Sequence, residues 1–521
     1  MRTDDRRKFL ANVGSGMLVG SLGVGLAADL GISSAYANEA NDRLTFGDME
    51  PLVALMQETP LDRLQPALIQ QLKQGTELST LVAAGSLANA RTFGGHDYIG
   101  YHTFMALTPA LAMSAELPSE RRPLPILKVL YRNTDRIQQF GGSSHEVLKR
   151  LDADAHDGHG DPVPGNVGEQ LQAATRAANF AEAEKIMASL SNASRDKIFN
   201  AVQFPVQDEV NVHRVVLAWR AWLAIDLVGE QHASTLLRQS VHFCLCDAES
   251  RVGKGQAAPE LWSLLPKLLD QYHLLDQPAG EKQGDDRWIE ELAWTIFQGS
   301  RQQAADAAAQ ALADGYAPDQ VGEAMSIAAN LLLLHDPGRA KDDEGDKVKG
   351  TVHGASVGVH ASDAANAWRN IAMVSDHRNT MASLLVGAYH TAGQSPHVSR
   401  EPWPLKMDAV ETMEDQRALL DQTEAAIRNR DQALSGAAAA RYGELGGSPR
   451  ELFDVLLKFA TSEDGALHAE KYYRTACEEF AKTRASLRWR QLVALARVSA
   501  SEYGTPAPGY HEACQLLSLD V

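Results

Sequence analysis

The sequence predicts an all-α fold: a helical repeat array of four pseudo-repeats, each of about four helices. Three observations carry that prediction. First, apolar residues recur at intervals of three and four along most of the 521-residue chain, on a background rich in Ala, Leu, Glu, Gln and Arg, with no convincing set of alternating strands. Second, His102, His213, His360 and His468 each open an apolar stretch. A second apolar stretch begins downstream of each and ends at Tyr131, His242, Tyr389 and Arg497, always 29 residues after the histidine. Third, Gly75-Thr-Glu-Leu, Asn192-Ala-Ser-Arg, Gly315-Tyr-Ala-Pro and Gly446-Gly-Ser-Pro stand upstream of the four histidines, each leading into an apolar helix. Repetition of this kind is the mark of a duplicated helical unit.

In chain order, residues 1–37 are expected to be a targeting segment rather than part of the fold. Asp5-Arg6-Arg7-Lys8-Phe9-Leu10 carries a twin arginine, a weakly apolar Gly-rich run from Val13 to Leu30 follows, and Ala35-Tyr36-Ala37 has the form of a cleavage site. The segment resembles a twin-arginine (Tat) signal peptide. That implies passage through the Tat export machinery and a periplasmic or extracellular mature protein. Gly23-Val-Gly25 lies inside this segment and is set aside as a dinucleotide loop.

Repeat one is expected over residues 48–140, with helices at Leu64–Leu72, Leu78–Ala90, Thr103–Glu116 and Leu124–Thr134. Gly75, Gly94-Gly95 and Pro118 supply the breaks. Residues 141–166 form a His/Asp/Gly linker. Its centre, Leu151 to Pro162, has calcium-loop character, but Gly158 falls one place late and Val163 stands where the closing acid belongs, so a solvated loop is expected. Repeat two covers 167–246, with helices at Lys197–Phe204 and His213–Val228. Repeat three covers 287–393 and carries the longest insertion, His335 to Lys349. Repeat four covers 411–503. Positions four and eight after each histidine are apolar: Ala106 and Ala110, Leu217 and Ala221, Ala364 and Trp368, Tyr472 and Ala476. That stripe is the buried face of a helix, and each histidine starts it, so the imidazoles should point inward.

Composition narrows the function. With 49 basic against 67 acidic residues the formal net charge is −18, the wrong sign for a nucleic-acid partner. Beyond residue 37 no run approaches the roughly 20 apolar residues a membrane span requires. Four cysteines do not make a disulfide framework: Cys244 and Cys246 are badly placed to pair, and Cys477 with Cys514 is compatible with a bridge without requiring one. No Cys-x-x-Cys-His is present for covalent haem.

Four equivalent histidines on a pseudo-symmetric array can converge on one centre, and neutral imidazole serves both as a metal ligand and as an acid–base group near neutral pH. His102, His360, His96 and His353 are the candidate catalytic residues. Arg132, Tyr131, His213 and His468 are candidates for holding substrate, Arg132 against an anion. His96, His102, His353, His360 and His390 are the candidate ligands should a metal or haem be bound. Asp97, Glu209, Asp363 and Glu470 are carboxylates near enough in sequence to support them. Gly354-Ala-Ser356-Val-Gly358 has the spacing of a nucleophile elbow, but Asp346-Lys-Val-Lys-Gly before it is no hydrophobic strand. His145-Glu146 lacks the second histidine of a zinc-protease helix.

The stretches Gly95-His96-Asp-Tyr-Ile-Gly-Tyr-His102-Thr-Phe-Met-Ala-Leu, Val352-His353-Gly-Ala, and Leu467-His468-Ala-Glu-Lys471-Tyr-Tyr-Arg-Thr-Ala-Cys477-Glu-Glu resemble the bacterial questin oxidase-like family. The resemblance implies an all-helical oxidoreductase, and its fungal members imply Baeyer–Villiger opening of a quinone ring with NADPH. An exported chain would stand where NADPH is not supplied, so the cofactor is left open. Two readings follow: an exported oxidoreductase acting on a small aromatic or quinone-like molecule, or a non-enzymatic helical repeat protein offering a concave binding surface. The direction of the histidines separates them. Convergence in one pocket favours the enzyme, and scatter along a ridge favours the scaffold.

Overall fold

A computed structural model describes residues 42–151, 166–342, 348–352 and 356–520. The expected signal segment, the calcium-like loop after Leu151, and His353 lie outside the described residues. Among the described residues there are 22 α-helices, and extended pairing is limited to three isolated bridges, so the chain is all-α. No helix among them is long and apolar enough to cross a membrane.

The helices fall into four runs of five. The first run is α1 (Glu50–Glu58), α2 (Leu61–Lys73), α3 (Leu78–Phe93), α4 (Tyr98–Glu116) and α5 (Pro123–Phe140). The second is α6 (Val167–Arg176), α7 (Phe180–Ser189), α8 (Arg195–Val206), α9 (Val212–Val228) and α10 (Ala233–Gly253). A single helix, α11 (Leu261–Gln271), separates it from α12 (Asp286–Gln298), α13 (Arg301–Ala313), α14 (Pro318–Leu334), α15 (Val357–Val374) and α16 (His377–Ala392). The last run is α17 (Gln416–Arg428), α18 (Gln432–Glu444), α19 (Pro449–Ser462), α20 (His468–Lys482) and α21 (Trp489–Glu502), followed by the short α22 (Tyr510–Leu516).

Each run therefore holds five helices where about four were expected. The extra helix in the first run arises at Pro60, which stands in extended backbone as the N-cap of α2 and divides it from α1. Proline lacks the N–H an interior helical position needs, so the break belongs there. The second run also outlasts its expected end at Cys246, because α10 continues to Gly253.

The histidine-bearing helices occupy the middle. α4 packs on α9, α9 on α15, α15 on α20, and α20 back on α4, which closes a four-membered bundle. Each is wrapped by its neighbours in the chain: α3 and α5 on α4, α8 and α10 on α9, α14 and α16 on α15, α19 and α21 on α20. One apolar core gathers side chains from the first three runs and from α22. A second gathers the fourth run and reaches over to Met113 and Leu333. All eight stripe residues after the four histidines are buried, as their spacing requires.

Candidate functional site

The four helices of the central bundle start by different local chemistry, yet place their histidines at one level. Asp97 caps α4, its carboxylate accepting from Gly100 N–H at 2.7 Å, and Arg136 Nε on α5 fixes that carboxylate at 2.8 Å. Asn211 caps α9 at 2.9 Å from His213 N–H, and the Ser356 hydroxyl caps α15. These are ordinary N-caps, worth about 1 kcal/mol each. α20 has no side-chain cap. Gly465, Ala466 and Leu467 take φ of 48°, 49° and 66°, a left-handed turn that includes two non-glycine residues. Left-handed backbone of this kind clusters where a functional side chain has to be held in one place.

The imidazoles close into a ring. His102 and His213 have ring centres 4.5 Å apart, His213 and His360 5.5 Å, His360 and His468 5.1 Å, and His468 and His102 5.4 Å. Backbone carbonyls set two of the tautomers. His102 Nδ1 lies 2.6 Å from the carbonyl of Tyr98, and His468 Nδ1 lies 3.0 Å from that of Ala466. A carbonyl only accepts, so both Nδ1 atoms carry the proton and both Nε2 atoms are lone pairs. His360 Nε2, 3.1 Å from His468 Nε2, then donates to it. His102 Nε2 and His213 Nε2 are buried with no hydrogen-bond partner among the described residues.

Under the ring lies a charged layer that sequence reading missed or named without placing. Lys471 and Asp363 stand one helical turn below His468 and His360, and Arg220 two turns below His213 on its helix. All three are buried. Burial brings the Lys471 ammonium down to about 8, with Asp363 and Glu470 holding it up. Burial raises the Asp363 carboxyl, against Lys471 and the Thr475 hydroxyl that donates to it at 2.8 Å. Burial lowers Arg220, whose Nε and Nη1 have no partner among the described residues. The layer also acts on the ring. Burial, and after it the charge of Lys471, lowers His213 to about 3 and takes His102 and His468 far below the ordinary histidine value. All three imidazoles are therefore neutral at neutral pH. Helical register is the signal that could have found this layer: three, three and seven residues after a ring histidine is the same helix face.

Two tyrosines cover the ring. Tyr98 lies 4.3 Å from His102 and 5.6 Å from His213, centre to centre, and Tyr101 lies 5.1 Å and 5.3 Å from the same pair. Tyr101 is buried, but Tyr98 is 57 % exposed, which puts the ring immediately beneath the surface.

The other candidates are distributed differently. His96 turns away from the ring and pairs with His242 at 3.0 Å. His390 is buried beside Trp368, whose indole N–H donates to its Nδ1 at 3.2 Å, and burial lowers it to about 3. Arg132 is bound to Asp464 at 3.0 Å in a partly exposed ion pair, and Tyr131 packs against Gly509 near the C-terminus, so neither joins the histidines. Among the carboxylates Asp363 lies in the site, Asp97 is a helix cap, Glu209 pairs with Arg251, and Glu470 is buried against Lys128. Among the described residues no three His, Cys, Asp or Glu side chains are placed to hold a metal ion together. All four cysteines are free thiols, so Cys477 and Cys514 are not bridged.

No family model, curated protein or solved structure matches the chain.

Proposed function

We propose that the chain is an exported oxidoreductase that acts on a small aromatic or quinone-like molecule at the four-histidine ring. The single observation that carries an enzyme over a binding scaffold is the convergence of His102, His213, His360 and His468 from four helices onto one level. A scaffold gains nothing by burying two imidazole nitrogens without partners, since burying an unmet polar atom costs about 1–3 kcal/mol. An enzyme uses such atoms: in this reading His102 Nε2 takes a proton from a substrate hydroxyl beside His213, and the Lys471 ammonium stabilises the anion that results. Tyr98 and Tyr101 supply flat apolar faces for an aromatic substrate. The likeness of the His102, Val352–His353 and His468 segments to the questin oxidase-like family supports oxidation as the reaction type.

The test is turnover of a panel of hydroxylated quinones by the mature protein, followed by oxygen uptake and product mass, with and without NADPH. A visible spectrum and metal content are recorded on the same sample. His102→Ala and His213→Ala are each expected to lower kcat by about 10²-fold or more, the usual contribution of a positioned acid–base group. Wild-type turnover by the double variant would sink the proposal.

A further inference from the structure

A second constellation stands at the turn that leads into α4, and it does not depend on the reading of the ring. Gly94 and Gly95 take φ of 52° and 85°, and a Cβ on Gly95 would lie 2.2 Å from the carbonyl oxygen of Gln239. This close approach, open only to glycine, lays the His96 turn directly on α10. His96 Nε2 there meets His242 Nδ1 at 3.0 Å, and His242 Nε2 contacts Glu184 Oε1 on α7. Arg238, one turn before His242, clasps the same carboxylate, with Nε 2.7 Å from Oε1 and Nη2 2.5 Å from Oε2. Phe180 lies edge-on to both imidazoles at about 6 Å.

Hydrogen-bond logic gives the direction of the chain for a neutral His242. Burial alone would raise the Glu184 carboxyl, but His242 and Arg238 pull it below the ordinary range, so it is a charged acceptor. His242 Nε2 therefore carries a proton and donates to it. For a neutral His242 ring Nδ1 is the acceptor and His96 Nε2–H the donor, which is the arrangement a base at His96 Nδ1 requires; an imidazolium there would reverse the bond. The lone pair of the chain then lies at Nδ1 of His96, the exposed member. Although part of its surface meets solvent, the packing around the His96 ring and the neighbouring imidazole bring it down to about 4, so it is a free base at neutral pH.

We propose that Glu184, His242 and His96 form a general-base relay in which His96 Nδ1 takes the proton from a small hydroxyl-bearing molecule or water at the surface. The O–H bond breaks and an N–H forms at Nδ1. His96 becomes an imidazolium whose Nε2–H stays bonded to His242 Nδ1, and the Glu184 carboxylate, which remains ionised, stabilises that charge through His242. The oxygen keeps its electron pair as an alkoxide, phenolate or hydroxide, and the proton rests on His96. A base oriented by a second group, itself oriented by a carboxylate, is the logic of the hydrolytic triads. Here the terminal base is a second imidazole.

Diethyl pyrocarbonate, which acylates the lone pair of neutral imidazole, tests the relay on the full chain at pH 6.5, read by peptide mass spectrometry. His96 should be modified about ten-fold faster than the exposed His511. Glu184→Gln, checked for native helicity, should bring it down to the His511 rate. Independently, ¹⁵N-imidazole spectra of the wild type should show His96 protonated at Nε2 and bare at Nδ1. A His96 rate no greater than that of His511, an unchanged rate in Glu184→Gln, or a proton on His96 Nδ1 would overturn the relay while leaving the ring untouched.

Discussion

Lys471 shows how one buried charge acts on three neutral rings. Its ammonium contributes to the lowering of His102, His213 and His468, in each case second only to burial. Lys471→Met keeps the volume and removes the charge, so those imidazoles should titrate at higher pH than in the wild type. Histidine ¹H–¹⁵N titration of the two proteins would show it, and unmoved midpoints would mean the lysine is too far away or already neutral. The ring histidines were legible in the sequence because they repeat on a common spacing. Lys471 and Arg220 were not, and Asp363 was named without a facing, because a charge within an apolar helical run has the same letter whether it faces solvent or the bundle axis. Only the crossing of α9, α15 and α20 decides which way those faces turn.

The turn before α20 carries the strain of the site. Ala466 is exposed and sits at φ 49°, a conformation that costs an L-residue about 1–2 kcal/mol and glycine little. Ala466→Gly should therefore stabilise the protein by about 1 kcal/mol, read as a shift of the urea midpoint at constant slope, although glycine's greater freedom when unfolded takes back part of the gain. A lower midpoint would show that the turn is not strained, and that the carbonyl of Ala466 holds His468 without cost. The helix starts at Leu78, Arg195, Pro318 and Pro449 follow directly from the Gly- or Asn-led breaks that announced them, since caps and breakers act locally. The short helices α1 and α6 were not separated from their neighbours in advance, because they are single amphipathic segments with weak signals of their own.

Over the whole molecule, the buried histidines should make the fold acid-labile. His213 and His390 are lowered to about 3, and His102 and His468 are lowered as well, against about 6.5 in an unfolded chain. Above that value neither state binds the protons and nothing is lost. As pH falls below it the unfolded chain is protonated and the folded one is not, so stability declines until the folded groups titrate. Each such group costs about 1.4 kcal/mol per pH unit, roughly 5 kcal/mol for the four together. Buried Asp208, Asp247 and Asp363, held above the usual carboxylate range chiefly by burial, act in the opposite sense and do so above about pH 4, where only the folded carboxyls take up protons, so they offset part of the loss. Four histidines against three carboxyls leave a net loss, so the urea midpoint should be lower at pH 5 than at pH 7. Equal urea midpoints at pH 7 and pH 5 would refute this.

The sequence alone determined the helical class, the main breaks and the burial of the stripes led by the four histidines, since period, capping and breaking residues are local properties. The tertiary structure alone decided that the four histidines meet, that His96 leaves them for His242 and Glu184, and that Arg132 is taken by Asp464. Those outcomes depend on which helices become neighbours across hundreds of residues. That is set by the packing of whole faces, which no single stretch of the chain encodes.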